Sequence, residues 1–248
     1  MAAGVDPFVD YDSVAARFGK WRSGRPRALD RWGQAVQPFL PARSVTVGDI
    51  GAGTGAFSRA WPGWADATVV GIEPSAAMLA SARSAGVPPH CLFIRGVVEA
   101  LPVASSTLDI AWISTAFHHF SDRQGAAYEL RRVVVSDGVV LIRGVLPERA
   151  SAGWWSAFPG YERAMLRFAS LHELEEVFNS AGFALAGSTD VVEGESTCGE
   201  QADWVEAMRD ADSILTALSD AEVEAGTAAM RKRSSSTLVH KLSLVVFK

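Results

Sequence analysis

Residues 45–61 read VTVGDIGAGTGAFSRAW, and this stretch constrains the fold more than any other. Val45, Val47 and Ile50 are β-branched and favour a strand, Gly51, Gly53 and Gly55 follow at alternate positions, and Ala56 to Trp61 read as helix. A strand that turns through glycines directly into a helix lets a ligand touch the main chain, because glycine takes positive φ and the helix start offers free N–H groups. Apolar strand-like runs recur at 45–50, 68–73, 91–95, 108–113 and 138–143, with helix-compatible segments between most of them. Parallel neighbours need such crossovers, so the alternation predicts a parallel sheet covered by helices. A helix is expected from about Ser121 through Leu130 to Val135, with Ser136-Asp137-Gly138 turning the chain into the fifth strand. SLHELEEVFNSAGF should form a later helix burying Leu171, Leu174, Val177 and Phe178 and stopping at Ala181-Gly182. Two late strands are expected near 183–192 and 237–247, flanking a helical stretch over about 200–230 that is broken by an N-cap at Ser219-Asp220.

The 248 residues suffice for one sizeable core, and no apolar run is long enough to span a bilayer. The opening MAAGVDPFVD lacks a signal-peptide pattern, and Cys91 and Cys198 are the only cysteines, so a reducing, cytoplasmic setting is expected. A net charge of -5 gives no long-range attraction for nucleic acid, and the short basic run MRKRSSS reads as a solvated turn. The five histidines and two cysteines show no metal-ligand spacing. The expected partner is therefore a small molecule, with no nucleic acid and no membrane.

In an open α/β sheet the ligand settles at the carboxyl ends of the strands. Gly51-x-Gly53-x-x-Ala56 also satisfies a loose dinucleotide fingerprint, and Glu73 stands where an acid would grip ribose hydroxyls, so NAD and an adenosyl cofactor both fit these residues. Asp49 favours the second, since a carboxylate there repels a pyrophosphate but attracts an ammonium or sulfonium. No P-loop is present.

VGDIGAGTG (47–55), GIEPSAAMLASAR (71–83), GVVEALPVASSTLDIAWISTAFHHF (96–120), YELRRVVVSDGVVLI (128–142) and the tail RFASLHELEEVFNSAGF together resemble the class I S-adenosylmethionine (SAM)-dependent methyltransferases, in the small-molecule branch that includes the ubiquinone/menaquinone-type enzymes. The resemblance implies a doubly wound, Rossmann-like, seven-stranded, mostly parallel α/β sheet with helices on both faces and its last strand inserted antiparallel. It implies a methyltransferase domain over 41–248, a helical cap over 1–40, and helical lid elements near 146–170 and 196–232. At matching positions it implies SAM contacts for Asp49, Gly51, Ala52, Gly53, Glu73, Pro74, Met78, Val98, Glu99 and Ser114. Tyr11 or Arg25 would reach the SAM carboxylate, as similar segments do in the family. Val97 occupies a place where family members often carry an acid for the adenine amino group, and VSDG replaces the usual KPGG before the fifth strand. Met78 also reads as ordinary core filler, and Arg25 as part of a solvated loop.

His118 and His119 follow the fourth strand at the edge of the expected crevice. In an extended segment one of two adjacent side chains would face the pocket, with His118 favoured, and it would act as a base toward an acceptor that must lose a proton. Phe117, Trp154, Trp155, Tyr161 and Trp204 are expected to line an apolar acceptor pocket or the core of a lid. The reading is a SAM-dependent methyltransferase acting on a small molecule, possible rivals being a non-catalytic SAM-binding scaffold and an NAD oxidoreductase.

Overall fold

Strand order reverses at the centre of the sheet. The computed structural model describes residues 11, 12 and 26–248. β1 (Val45–Ile50), β2 (Ala67–Glu73), β3 (Cys91–Arg95), β4 (Leu108–Ser114), β5 (Val134–Gly144), β6 (Leu185–Thr197) and β7 (Thr237–Phe247) form one sheet in the order β3-β2-β1-β4-β5-β7-β6. Pairing is parallel from β3 to β5, and β7 runs antiparallel between β5 and β6. This is the expected Rossmann-like sheet.

The helices are α1 (Pro26–Val36), α2 (Ala56–Ala60), α3 (Ala76–Ser84), α4 (Arg123–Val133), α5 (Tyr161–Met165), α6 (Leu171–Ser180), α7 (Cys198–Met208) and α8 (Asp220–Lys232). Local chemistry sets their starts. Ser75 and Asp122 accept from the backbone N–H three residues on, while Ser170, Thr197 and Ser219 form reciprocal capping boxes with Glu173, Glu200 and Glu222. One face of the sheet packs Phe57 and Trp61 after β1, with Trp32 of α1, against Val47, Ile110, Trp112 and Leu141. The other face packs α4 and α6 through Leu130, Leu174 and Phe178 against Ala111, Ile113 and Ile142. Beyond the carboxyl ends of the strands a further apolar cluster joins Trp155, Phe158, Met165, Val205, Leu215 and Val223 from segments 147–168 and 198–230.

The polar SDG signal marks no turn. α4 runs directly into β5, whose first residue Val134 is already extended and pairs with Leu108, and the next pair is Ile110 with Val139. Val133, Val134 and Val135 favour extended backbone, so the chain enters the strand early and 135–138 is absorbed as a bulge. β6 likewise continues five residues past the expected Val192, and Arg25 lies outside the described residues, as does most of the front segment 1–25.

Trp112 is fully buried on β4, with ring centroids 5.1 Å from Phe57, 5.8 Å from Trp61 and 6.0 Å from Trp32. Its indole N–H has no hydrogen-bond partner among the described residues. Trp112→Ala should therefore lower the free energy of urea unfolding by about 3–5 kcal/mol. Trp112→Phe, which removes the unsatisfied donor, should cost clearly less than the alanine variant.

Candidate active site

A cavity of about 460 Å³ opens at the carboxyl ends of β1, β2 and β4. Its floor is the glycine turn, and its far wall comes from α1, the 153–155 turn, α7 and the loop after α7. Gly51 and Gly53 line it with φ of 71° and 55°. A Cβ on Gly53 would meet no atom of the described residues within 4 Å, so a side chain there would project into the cavity. The Gly53 N–H donates to Glu73 Oε2 at 2.8 Å and the Ser75 N–H to Oε1 at 3.0 Å, which fixes the carboxylate at the end of β2. Burial pushes the Glu73 carboxyl above its ordinary value, and the two N–H groups oppose that rise. Pro74, Met78, Val98, Glu99 and Ser114 also line the cavity. Glu99 has a further task, since its Oε1 accepts from Ser121 N at 3.1 Å and Ser121 Oγ at 2.9 Å.

Two expected cofactor contacts lie behind the wall. Asp49 is 1% exposed and accepts from Ser58 Oγ at 2.5 Å, because its side chain shares the strand parity of Val45 and Val47 and points beneath α2. Ala52 packs with Leu79, Ala82 and Phe93. Neither reaches the cavity.

β4 ends at Ser114, and Thr115 takes a φ of 51°, uncommon for a β-branched residue. The Thr115 N–H donates to Arg143 O at 2.7 Å, and Phe117–His119 then form a 3₁₀ turn. The segment is not extended, so both imidazoles face the cavity, with ring centroids 3.8 Å apart. His118 Nε2 lies 3.0 Å from Ser213 Oγ, and its ring lies 4.4 Å from Phe168. His119 Nε2 lies 2.7 Å from the Tyr11 hydroxyl and 3.3 Å from the same Ser213 Oγ. Burial, aided by His119, Arg123 and Arg167, holds His118 well below the ordinary imidazole value, so it is a neutral acceptor near pH 7.

Trp154, Trp155 and Trp204 line the apolar side, the Trp154 and Trp204 centroids lying 5.2 Å apart. Phe117 turns away into the core against Phe120 and Phe178, and Tyr161 packs at the edge of the outer apolar cluster instead of lining the cavity. Sequence reasoning missed Trp32, Arg143, Glu193 and Ser213, which all line it. Arg143 was legible in principle, as the residue that continues the inward parity of Val139 and Leu141 at the end of β5. No group of described residues could hold a metal ion, and no described helix is long and apolar enough to cross a membrane.

Residues 48–142 match the methyltransferase domain family. The chain is 33% identical over 192 residues to a malonyl-[acyl-carrier protein] O-methyltransferase of Erwinia pyrifoliae, covering 73% of this chain and 70% of that one. It is 28% identical over 144 residues to a ubiquinone/menaquinone biosynthesis C-methyltransferase of Campylobacter jejuni, covering 56% of this chain and 59% of that one. A solved structure of a candidate methyltransferase from an antibiotic biosynthesis pathway in Anabaena variabilis superposes with a TM-score of 0.68 at 20% identity, over 88% of this chain and 97% of that one.

The depressed His118 value makes stability depend on pH. The unfolded chain takes up this proton near pH 6.5 while the folded chain still excludes it, so the contribution is intact above 6.5 and is lost as pH falls toward the lower folded value. Urea unfolding at pH 7.5 and 5.5 should show a smaller acid loss in His118→Gln than in the parent. An equal loss in both would remove His118 as its source.

Proposed function

Because the chain belongs to the class I SAM-dependent methyltransferases, we propose that this cavity transfers a methyl group from SAM to a small acceptor with an apolar, ring-bearing body, a compound of secondary metabolism. The observation that carries the reading is the convergence of two imidazoles and three tryptophans on the cavity that also holds Gly53 and Glu73. The cavity size and the open space above Gly53 fit an adenosyl cofactor. Gly51 and Gly53 would lie under it, Glu73 would accept from the ribose hydroxyls, and Pro74, Met78 and Val98 would pack on the purine. When bound, SAM supplies an activated methyl on a sulfonium, and the protein's share is to align the acceptor and exclude water.

Trp154, Trp155 and Trp204 hold the acceptor's apolar body. His118, neutral and lying beside the lid residue Ser213, takes the proton from an acceptor hydroxyl as its oxygen is methylated. Segments 146–170 and 196–232 serve as the lid, with Tyr11 of the front segment reaching His119. The two curated relatives are named for transfer to oxygen and to carbon, and the imidazole pair favours oxygen for this chain.

Glu73→Ala should weaken S-adenosylhomocysteine binding, read by calorimetry, because each lost charge-assisted hydrogen bond is worth on the order of 1.5–3 kcal/mol. Unchanged affinity would remove Glu73 from the site. With phenolic and aliphatic hydroxyl acceptors and turnover read as S-adenosylhomocysteine, His118→Gln should keep cofactor affinity and lose about 10²–10⁴-fold in kcat. The parent rate should hold its plateau to below the ordinary imidazole range before falling on the acid side. A variant with full kcat and KM would make the imidazole a structural group.

A further inference from the structure

The wall of the cavity opposite Glu73 carries a buried ion pair that the methyl-transfer chemistry does not use. Arg143 and Glu193 side chains are 11% and 10% exposed, and both line the cavity. Glu193 Oε1 accepts from Arg143 Nε at 2.9 Å, from Arg143 Nη2, and from Trp32 Nε1 at 2.7 Å. Arg143 Nη1 donates to Ser114 Oγ at 3.1 Å. The guanidinium carbon lies 5.2 Å from the ring centroids of both Trp32 and Phe57.

Four elements thus hold one planar cation, and the backbone is bent to make it happen. In the β6–β7 ladder Val192 pairs with Lys241 and Gly194 with His240, so Glu193 is the extra residue of a bulge. Bulges re-aim a side chain at the cost of local pairing. A buried ion pair is a weak source of stability, since apolar residues of similar volume serve as well. The arrangement therefore points to use, and its free valence shows the kind.

An arginine carries five N–H donors, and three of Arg143's are engaged. The two left over lie one on each terminal nitrogen, a set that the two oxygens of a carboxylate can match. Ser114 accepts from Arg143, which leaves its own hydroxyl proton to donate alongside. Glu193 offsets the charge of Arg143 and fixes the plane of the fork, so discrimination rests on matched donors more than on long-range attraction.

We propose that Arg143, locked by Glu193 and Trp32, is a carboxylate-binding residue of this cavity. The carboxylate is either the amino-acid end of the cofactor or an acid group on the acceptor. The cofactor arm rests on the methyltransferase reading, and the acceptor arm does not.

Calorimetry on the full chain separates them. The double variant Arg143→Met/Glu193→Leu removes the pair without stranding a buried charge, and Arg143→Lys keeps the charge but loses the fork. Thermal melts establish that each variant is folded. S-adenosylhomocysteine and 5′-methylthioadenosine share purine, ribose and thioether, and only the first has a carboxylate. If Arg143 reads the cofactor, both variants should lose about tenfold or more in S-adenosylhomocysteine affinity, with 5′-methylthioadenosine unchanged. If it reads the acceptor, S-adenosylhomocysteine affinity should hold, while 4-phenylbutyrate should bind the parent in preference to 4-phenylbutanol and lose that preference in both variants. The acid probe is run with and without nucleoside. Failure of S-adenosylhomocysteine to bind the parent would overturn the methyltransferase reading and leave the acid arm standing. Nucleoside affinities within about twofold of the parent's in the variants, together with no acid preference in the parent, would overturn the proposal.

Discussion

Everything in this molecule follows from the reversal of strand order between β1 and β4. From β1 the chain winds outward through β2 to β3 with α2 and α3 on one face, while from β4 it winds the other way to β5 with α4 on the opposite face. The connections leave the two central strands in opposite directions, and main chain does not fill the gap between their carboxyl ends. Side chains stand perpendicular to the sheet and alternate along each strand, so the final residues of neighbouring strands arrive on a shared face. Glu73 and Ser114 close β2 and β4, and Arg143 stands one residue before the end of β5, in the same inward parity as Val69, Trp112 and Leu141. The polar rim is thus the continuation of an apolar core, one residue beyond the point where the core ends.

What turns the rim into an enclosed site is the outer apolar cluster. Trp155 and Phe158 after β5 pack with α7 and α8, and this second core lies over the strand ends rather than against a sheet face. Burial of those residues supports the loop that brings Ser213 to the histidines. The same burial sets the electrostatics. An imidazole in this surrounding gives up its proton more readily, whereas the Glu73 carboxyl holds its own more tightly despite two N–H donors. Opposite shifts of an acid and a base in one cavity share their largest cause, removal from water.

The parts legible in the sequence are those written in local periodicity. β1 and β3 occupy the apolar runs 45–50 and 91–95, Ser219 caps its helix with Glu222, and the glycine turn sits under a cavity. The misreadings arise where a side chain's direction depends on a partner far away in sequence. Asp49 has a suitable charge and shares the sheet face of Glu73 and Ser114, but it lies one residue short of the end of its strand, buried where it accepts from Ser58. Phe117 is adjacent to two cavity residues, yet the 3₁₀ turn that swings both imidazoles inward sends it to Phe178. That turn depends on Thr115 at positive φ, for which a threonine gives no sequence signal. Glu193 was illegible for a similar reason, because a bulge is a property of two strands, and its partner Arg143 lies 50 residues away.

The two histidines share one hydrogen-bonding partner. Their Nε2 atoms approach the same Ser213 Oγ at 3.0 and 3.3 Å, and His119 Nε2 also lies 2.7 Å from the Tyr11 hydroxyl. A serine has one proton to donate, so the arrangement is satisfied when one imidazole donates to Oγ and the other accepts. Ser213 thereby ties the tautomer of one ring to that of the other, and the Tyr11 hydroxyl joins the same network at His119 Nε2. A proton added to His118 would place a cation in a buried site, beside His119 and close to Arg123 and Arg167, which all disfavour it. Burial and the neighbouring positive charges thus act together to keep the ring neutral, and the cost of protonating it falls on the folded state alone.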